Sequence, residues 1–308
     1  MMKNKKIGVV LGGPSAEREV SLRTGAAIHK ALVARGYNAV TIDLDPVNFA
    51  KQLADNKIDV VFNAIHGLYG EDGCMQGQLE MLGIKYTGSG VLASSAAMDK
   101  IISKRIFISA GIPTPDFMIV SKKEAKLCIQ EILARFSLPV VVKPPAQGSS
   151  VGVEIVKDAA DLESALTAAF QYADELLVEE FIQGRELTAA VIKIGDTIKA
   201  LPLIEIAPHS GIYDYTSKYT VGATQYLVPA PVDAELTAKM QELAKQAFYL
   251  LGCKGVARAD IMLSNDKPYI LEINTVPGMT ETSLVPKAAA AVGMSFEDVC
   301  EAILLGVN

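Results

Sequence analysis

Two apolar runs near the carboxyl end of the chain constrain its fold most strongly. The first run is "GVARADIML" (255–263), the second is "YILEINTV" (269–276), and the polar stretch "SNDKP" (264–268) separates them. Short apolar runs joined by turn-forming residues are typical of two strands paired in an antiparallel hairpin. The second run then meets Pro277-Gly278, which ends the predicted strand.

Four polar side chains are predicted to share one face of this hairpin. Side chains two positions apart point to the same side of a strand, and a turn centred on Asp266 pairs Asp260 with Glu272 and Arg258 with Asn274. Burying such groups unpaired costs free energy. Two carboxylates and an amide oxygen suit a hard cation such as Mg²⁺, whereas no Cys or His is near enough in sequence to suggest zinc. The alternative is a buried Arg–Asp–Glu ion pair that only stabilises the core.

Length and composition indicate a globular protein of two or three domains. At 308 residues the chain is longer than the roughly 250–300 residues at which a single core usually stops growing. Half of its residues are hydrophobic (50%), and its formal net charge is −6. An acidic chain is a poor candidate for bulk binding to nucleic acid or to an anionic membrane, so we expect neither as a partner.

Cysteine usage and the amino-terminal segment indicate a cytoplasmic protein. The four cysteines lie far apart in apolar sequence without a CxxC pair, which is typical of reduced core thiols: Cys74, Cys128, Cys253 and Cys300. The apolar run "IGVVL" (7–11) is too short for a signal peptide or a membrane span.

The first third of the chain alternates predicted strands with amphipathic helices, a pattern that indicates a parallel α/β sheet. Ligands collect at the carboxyl ends of such strands, where Gly12-Gly13 and His66-Gly67 fall. A helix is predicted to start at Ser15, with Glu17 in its first turn. The sequence is therefore predicted to form three units, which cover residues 1–96, 97–186 and 187–308.

A glycine-containing loop follows a lysine in the middle unit. In "VKPPAQGSSVGV", Lys143 ends a β-rich run, and the loop after it contains Gly148 and Gly152. Exposed backbone N–H groups in such a loop bind anions, and a nearby lysine adds a positive charge. The loop matches neither the Walker pattern nor the dinucleotide pattern, and the alternative is an ordinary hairpin turn.

Three further stretches have both a functional and a structural interpretation. In "LLVEEFIQGRE" (176–186) a strand edge can offer backbone groups to a purine while Glu186 binds ribose hydroxyls; the alternative is a solvated acidic turn. His66 is either a general base or a polar residue at a sheet edge. The stretch 209–226, rich in Tyr, Ser, Thr and Gly, is either a lid over a site or a plain connection.

The order of these stretches resembles the ATP-grasp arrangement of carboxylate–amine ligases. "HGLYGEDGCMQG" (66–77) and "LLGCKGVARADIMLSNDKPYILEINTVPG" (250–278) are similar to the two sequence signatures of the D-alanine–D-alanine ligase family, and "LGGPSAEREVS" (11–21) and "YTGSGVLASSAAMDK" (86–100) resemble it too. The resemblance runs over essentially the whole chain. It implies an α/β (α+β multidomain) ATP-grasp fold, with an N-terminal parallel α/β domain, a central β-rich ATP-binding domain and a C-terminal α+β domain.

The resemblance also implies how ATP and metal are bound. Lys100 and Lys143 would contact the α- and β-phosphates of ATP. The remaining ATP-binding residues would be Gly148, Ser150, Gly152, Glu179, Glu180, Phe181, Ile182, Glu186 and Lys218. Two Mg²⁺ ions, or Mn²⁺ in their place, would be held by Asp260, Glu272 and Asn274.

The resemblance assigns the amino acid substrates to a second set of residues. Glu17 would bind the ammonium of the first D-alanine with His66 close by, and Arg258 with the N–H of Gly278 would stabilise developing negative charge on the reacting carbonyl. Ser283 and the N–H of Leu284 would bind the carboxylate of the second D-alanine. In the lid, Tyr219 would bond to Ser149, and Ser149 to Glu17.

The activity implied is ATP-dependent joining of two D-alanines through a D-alanyl phosphate, for peptidoglycan precursor synthesis, by a homodimer. The alternative enzymes are a D-alanine–D-lactate ligase or another ATP-grasp amino-acid ligase, and "SKY" (217–219) in the lid favours the dipeptide product. A nucleotide-binding regulatory protein without catalysis would have little need for Arg258. A structural metal-binding domain leaves both lysines and the glycine loop unexplained.

Overall fold

Three β-sheets organise the part of the chain that the structure describes. This computed structural model describes residues 2–148, 151–208, 222–280 and 282–307. A single 3₁₀ turn (Met2–Asn4) precedes the first strand.

The first sheet is parallel, as the alternating pattern predicted. Its strands lie in the order β2-β1-β3-β4 and run over β1 (Lys6–Leu11), β2 (Asn38–Asp43), β3 (Val60–Asn63) and β4 (Lys85–Tyr86). The helices that connect or follow them are α1 (Arg18–Ala34), α2 (Phe49–Asp55), α3 (Cys74–Leu82) and α4 (Val91–Met98).

Helix α1 begins at Arg18, so the prediction of a helix starting at Ser15 was wrong. The Ser15 hydroxyl donates to the carbonyl of His66 at 2.7 Å and accepts the N–H of Glu17 at 3.1 Å. Because this side chain ties two loops together, residues up to Glu17 form a turn before the helix. Glu17 is therefore the N-cap residue, and its carboxylate caps no helix N–H.

The second sheet is antiparallel and forms the middle of the chain. Helix α5 (Lys100–Ser109) leads into it, and its order β5-β8-β6-β7 uses β5 (Phe117–Ser121), β6 (Val140–Lys143), β7 (Glu154–Val156) and β8 (Glu175–Glu180). Its helices are α6 (Ala125–Arg135), a 3₁₀ turn (Ala159–Asp161) and α7 (Leu162–Ala169).

The third sheet carries the predicted hairpin. Its order is β12-β11-β9-β13-β14 with β10 beside β9, and the strands are β9 (Arg185–Ile194), β10 (Thr197–Ala200), β11 (Ile204–Pro208), β12 (Thr224–Leu227), β13 (Val256–Ser264) and β14 (Lys267–Asn274). The remaining helices are α8 (Ala234–Leu250), α9 (Leu284–Ala290) and α10 (Phe296–Leu305).

The predicted hairpin register is confirmed at the polar residues. Asp260 lies opposite Glu272, and Arg258 lies opposite Asn274. The turn itself is tighter than predicted, because Ser264 already pairs with Lys267. A register shift after Asp260 leaves one extra residue in β14, and this shift restores the pairing at the site.

The first sheet shares its hydrophobic core with the end of the chain. Side chains of β1, β3 and α1 pack in one cluster with α9, α10 and part of the third sheet. Polar contacts reinforce this junction: Arg35 pairs with Asp298 and, at 3.2 Å, with Glu301, while the hydroxyl of Tyr37 donates to Glu301 at 2.6 Å. The loops after the parallel strands are thereby placed near residues 275–287. The domain bounds at 96 and 186 stay a prediction.

The cysteine prediction is confirmed for three residues and wrong for one. All four cysteines are free thiols, and Cys128, Cys253 and Cys300 are buried, but Cys74 is exposed at the start of α3. Among the helices that the structure describes, none combines the length and the apolar character needed to span a membrane.

Candidate active site

A cavity of about 430 Å³ lies where the first sheet, the amino end of α5 and the hairpin meet. Ten of the predicted site residues line it: Glu17, His66, Lys100, Gly148, Arg258, Glu272, Asn274, Gly278, Ser283 and Leu284. Eight others do not: Lys143, Gly152, Glu179, Glu180, Phe181, Ile182, Glu186 and Asp260. Four lie outside the described residues: Ser149, Ser150, Lys218 and Tyr219.

Arg258 and Asp260 form a two-point ion pair beside this cavity. The Arg258 Nε and Nη2 atoms each lie 2.7 Å from an oxygen of Asp260, and both side chains are largely buried. Thr188 places its hydroxyl 3.0 Å from the same carboxylate. The Arg–Asp part of the ion pair that the sequence offered as a purely structural alternative is therefore present, and Arg258 lines the cavity.

Lys100 links the hairpin to the glycine loop. It is the first residue of α5, whose N-cap Asp99 accepts the N–H groups of Ile101 and Ile102 at 2.8 and 3.1 Å. The Lys100 ammonium lies 3.0 Å from Glu272 and donates to the carbonyl of Gln147 at 3.0 Å. Lys100 follows the N-cap residue directly, so the backbone of this lysine cannot move without breaking the cap. The cap thus fixes the position of Lys100.

The oxygen atoms of the hairpin fit a hard divalent cation. Asp260, Glu272 and Asn274 supply two carboxylates and one amide, and the Asn274 oxygen accepts the N–H of Val276 at 3.0 Å, which fixes its direction. Within the described ranges no three His, Cys, Asp or Glu side chains form a metal-binding group. Mg²⁺ usually takes one or two carboxylates and completes its shell with water and phosphate, and the three hairpin side chains offer oxygen donors of this kind.

A second carboxylate–lysine cluster lies at the ends of β6 and β8. Glu179 contacts Lys143 at 2.8 Å through Oε2 and Lys104 at 3.2 Å through Oε1. Lys104 was not singled out from the sequence, where Lys100 alone among the residues of this helix was given a role. Its side chain is fully buried, and this burial lowers the pKa of Lys104 to about 8.

The remaining predicted adenine and ribose residues continue from this cluster. Glu180 ends β8, and its carboxylate accepts the N–H of Asp116 at 2.9 Å. Phe181 and Ile182 follow the strand and are half-buried. Glu186 lies in β9, opposite Ile206 on one side and Met262 on the other. The predicted adenine and ribose residues thus run from the end of β8 into β9, outside the lining of the cavity.

Glycines let the Glu17 carboxylate lie between two loops. A Cβ atom at Gly148 would lie 2.8 Å from Glu17 Oε2, and one at Gly67 would lie 3.1 Å from the same atom. Any larger residue at Gly148 would therefore displace the carboxylate. The glycine loop and the first parallel strand–loop–helix unit meet at Glu17.

His66 is held by two partners at this end of the cavity. Its Nε2 lies 3.0 Å from the Thr24 hydroxyl, and its Nδ1 lies 3.4 Å from Glu71. Burial raises the pKa of Glu71, and the contact with His66 opposes that shift. Glu71 also lines the cavity and was not singled out from the sequence, where it is one acid among several in "HGLYGEDG".

The loop from Gly278 to Leu284 closes the opposite side. A Cβ at Gly278 would lie 3.0 Å from the Ser283 hydroxyl, so glycine permits this close approach. The Thr280 N–H donates to that hydroxyl at 3.0 Å. Lys287, which the sequence analysis also missed, lines the cavity with its ammonium 4.9 Å from the ring centroid of Tyr226.

Comparison with known proteins places the chain in a family. A sequence model described as D-ala D-ala ligase C-terminus matches residues 106–305, and one described as D-ala D-ala ligase N-terminus matches residues 47–89. The chain belongs to the D-alanine–D-alanine ligase family. It is 48% identical over 305 residues to the D-alanine–D-alanine ligase of Carboxydothermus hydrogenoformans, with 97% of each chain covered.

Solved structures of the ligase family share this fold. The D-alanine–D-alanine ligase from Bacillus anthracis complexed with ATP has a TM-score of 0.84 and 36% identity, with 98% of this chain and 96% of that chain covered. The VanG D-Ala:D-Ser ligase from Enterococcus faecalis has a TM-score of 0.85 and 30% identity, with 98% of each chain covered. The predicted ATP-grasp fold is therefore confirmed.

Proposed function

We propose that this chain is a D-alanine–D-alanine ligase, which joins two D-alanines and converts ATP to ADP and phosphate. One observation carries the proposal beyond family membership. The cavity brings together Glu17, Arg258 and the Gly278–Leu284 loop, which are the residues needed to hold two amino acids and one reacting carbonyl.

The first step is activation of a carboxylate. An oxygen of the first D-alanine attacks the γ-phosphorus of ATP, the bond to the β-phosphate oxygen breaks, and D-alanyl phosphate and ADP form. Glu17 attracts the ammonium of this D-alanine. Lys100 and Lys143 offset the charge of the phosphates, and such positioning and neutralisation supply most of the catalysis in phosphoryl transfer.

The second step forms the peptide bond. The amine of the second D-alanine attacks the acyl carbon, a tetrahedral intermediate collapses, and phosphate leaves. Arg258 and the N–H of Gly278 stabilise the negative oxygen, while Ser283 and the N–H of Leu284 hold the carboxylate of the second D-alanine. The Asp260 carboxylate keeps the guanidinium in place through two bonds of 2.7 Å.

Metal ions complete the nucleotide half of the proposed site. Asp260, Glu272 and Asn274 would hold two Mg²⁺ ions, or Mn²⁺ in their place, and the ions would neutralise the transferred phosphoryl group. Acyl phosphates hydrolyse in water, so a lid is needed over the site. The roles of Lys218 and Tyr219 in that lid, and of Ser149 and Ser150 in the glycine loop, stay predictions, because these residues lie outside the described ranges.

We also propose that the chain forms a homodimer, that it acts in the cytoplasm, and that its product is used in peptidoglycan precursor synthesis. The dimer is what the family resemblance implies, and it is supported by the exposed apolar side chains of Met81 in α3 and Leu92 in α4, two helices in contact, whose exposed fractions are 91% and 81%. A second copy of the chain would cover these side chains. Sedimentation of the purified protein tests this point, since a monomer at working concentration would contradict it.

The activity is tested by release of ADP and phosphate with ATP, Mg²⁺ and D-alanine, with the products resolved by mass. Parallel reactions contain L-alanine, D-alanine with D-lactate, or D-alanine with D-serine. D-Alanyl-D-alanine as the main product is expected. A preference for the D-lactate or D-serine product would overturn the substrate assignment while keeping the chemistry.

A further inference from the structure

Helix α5 carries two lysines one turn apart that face different surroundings. Lys100 reaches the cavity, whereas Lys104 is fully buried. The Lys104 ammonium donates to the Thr114 hydroxyl at 2.6 Å and to the Pro115 carbonyl at 3.1 Å, and it lies 5.3 Å from the ring centroid of Phe117. A charge removed this far from water needs a compensating anion.

That anion is Glu179, which Lys104 shares with Lys143. Lys104 lies 3.2 Å from Oε1, and Lys143 lies 2.8 Å from Oε2. Within the described part of the chain, Oε1 has no hydrogen-bond partner of good geometry, so the contact with Lys104 is one of charge at short range. These three groups alone, two ammoniums and one carboxylate, carry a net charge of +1.

We propose that Lys104 is a positioning residue for the nucleotide: it engages one oxygen of Glu179, so that Lys143 keeps positive charge available for the phosphates of ATP. The inference rests on the proposed function, which assigns Lys143 to those phosphates. Without Lys104, Glu179 and Lys143 form a neutral pair inside a medium of low dielectric constant, where such a pair is strong. ATP would then compete with Glu179 for the same ammonium.

The first test is Lys104→Met in the full chain. Calorimetric titration with ATP and Mg²⁺ measures affinity directly, and steady-state assays give separate KM values for ATP and D-alanine. The Kd and KM for ATP should rise by about tenfold, the scale of one contact to a charged group, while the KM for D-alanine stays unchanged. An unchanged ATP affinity together with a lower melting temperature would overturn the proposal in favour of a purely structural ion pair.

Thr114→Val is the matched control. It removes a neutral partner 2.6 Å from the same ammonium and leaves the charge in place. We expect its ATP affinity to stay near that of the unmodified protein, even where its melting temperature falls. A loss of ATP affinity as large as that of Lys104→Met would assign the effect to local packing and overturn the proposal.

A double-variant cycle asks whether Lys104 acts through Glu179. In a Glu179→Gln background, Lys104→Met should change ATP affinity much less than it does alone, because the negative charge that Lys104 offsets is absent. Equal effects in both backgrounds would overturn the proposal.

A pH profile gives a readout that packing alone would not move. Burial lowers the pKa of Lys104 to about 8, so its charge is lost as the pH rises above this value. The charged groups that face it are Glu179 and Glu180 of β8, Lys143 of β6, and Asp116. The Kd for ATP should therefore rise above about pH 8 in the unmodified protein, and this rise should be absent in Lys104→Met.

Failure of this inference differs from failure of the proposed function. If the unmodified protein binds ATP but makes no dipeptide, the ligase assignment fails and the Lys104 test still gives a result. If it makes dipeptide and Lys104→Met binds ATP normally, the inference alone fails.

Discussion

The two halves of the cavity are built by different means. In the hairpin half, strand register places the side chains and ion pairs hold them: Arg258 on Asp260, and Lys100 on Glu272. In the amino-terminal half, loops from the parallel sheet approach each other and the glycine loop of the second sheet so closely that glycine is favoured at several contacts. Gly148 and Gly67 against the Glu17 carboxylate are two of these contacts.

This difference determines how each half can be broken. The hairpin half depends on charge, because each carboxylate there is already paired with a positively charged side chain before any ligand binds. The amino-terminal half depends on space, because a single methyl group at a contact glycine would meet backbone or carboxylate atoms. Substitutions that change charge should therefore damage the hairpin half and the substrate groups bound there. Substitutions that change volume should instead damage the amino-terminal half and the substrate groups bound there.

The largest effect is expected for Arg258→Met, which removes charge from the hairpin half. It leaves Asp260 buried without its two-point partner, and it removes the group proposed to stabilise the negative oxygen. We expect kcat/KM to fall by about 10²–10³. Steady-state assays measure this loss, and denaturant unfolding should show a destabilisation of about 3 kcal/mol.

Arg258→Lys sharpens this first prediction. It keeps the positive charge but cannot make two parallel bonds to a carboxylate. A partial recovery of kcat/KM is expected. Full activity in Arg258→Met would contradict the assignment of the hairpin half as the electrostatic centre of the site.

Gly70→Ala is the corresponding change of volume in the amino-terminal half. A Cβ at this position would lie 2.2 Å from the carbonyl oxygen of Ile65, so the backbone next to His66 must shift. We expect a loss of about 1–3 kcal/mol in stability and a rise in the KM for D-alanine that exceeds the rise for ATP. Denaturant unfolding and two-substrate kinetics measure these changes.

Gly77→Ala is a suitable control for volume. It lies within α3, and the nearest atom to an added Cβ is 3.9 Å away. Alanine is favoured over glycine inside a helix, so this variant should be as stable as the unmodified protein or more so. Equal kinetic damage from both changes would show that the amino-terminal half does not depend on close loop contact.

Glu71→Gln tests the amino-terminal half through pH. Burial raises the pKa of Glu71 in the folded state above the unfolded value near 4.5, so the folded state binds its proton more tightly. The stability from this group is fully present below about pH 4.5 and is lost as the pH rises through the raised pKa. Glutamine does not ionise. The variant should thus lose less stability than the unmodified protein between pH 5 and the neutral range, as measured by denaturant unfolding at each pH.

An identical pH dependence in Glu71→Gln and the unmodified protein would contradict this account. A histidine contact strong enough to cancel the burial effect would produce that result, because His66 lies 3.4 Å from Glu71 and opposes the shift. The experiment therefore measures which of the two influences dominates in the amino-terminal half.

The same difference explains what the sequence could predict. The hairpin was predictable because alternation along two neighbouring runs determines which side chains share a face, and Asp260, Glu272, Arg258 and Asn274 lie where the register placed them. The family resemblance implied the roles of these residues, and it also implied the ATP-grasp fold. Local pattern and family signature agreed throughout this half.

The amino-terminal half was harder to predict because its contacts join residues far apart in sequence. Ser15 bonds to the carbonyl of His66, 51 residues away, and this contact delays the start of α1. Glu71 is buried only once its loop has folded against His66. Lys104 was missed for a related reason: its spacing from Lys100 is that of a solvated helix face, whereas the carboxylate it pairs with, Glu179, lies far along the chain in β8 of the second sheet.

The smallest effect is expected at the hairpin turn, where Asn265 and Asp266 have φ angles of +47° and +60°. Two-residue turns of this kind favour glycine at the second position, because a side chain is strained in the left-handed region. Asp266→Gly should raise the unfolding free energy by about 0.5–1 kcal/mol. Activity should not change, since the register shift after Asp260 separates the turn from the polar pairs. Thermal unfolding and steady-state kinetics measure both quantities. A changed kcat or KM would mean that the turn, and not strand pairing alone, sets the register of the hairpin half. Both halves of the cavity would then depend on the conformation of a loop or turn, and the difference between them would be smaller.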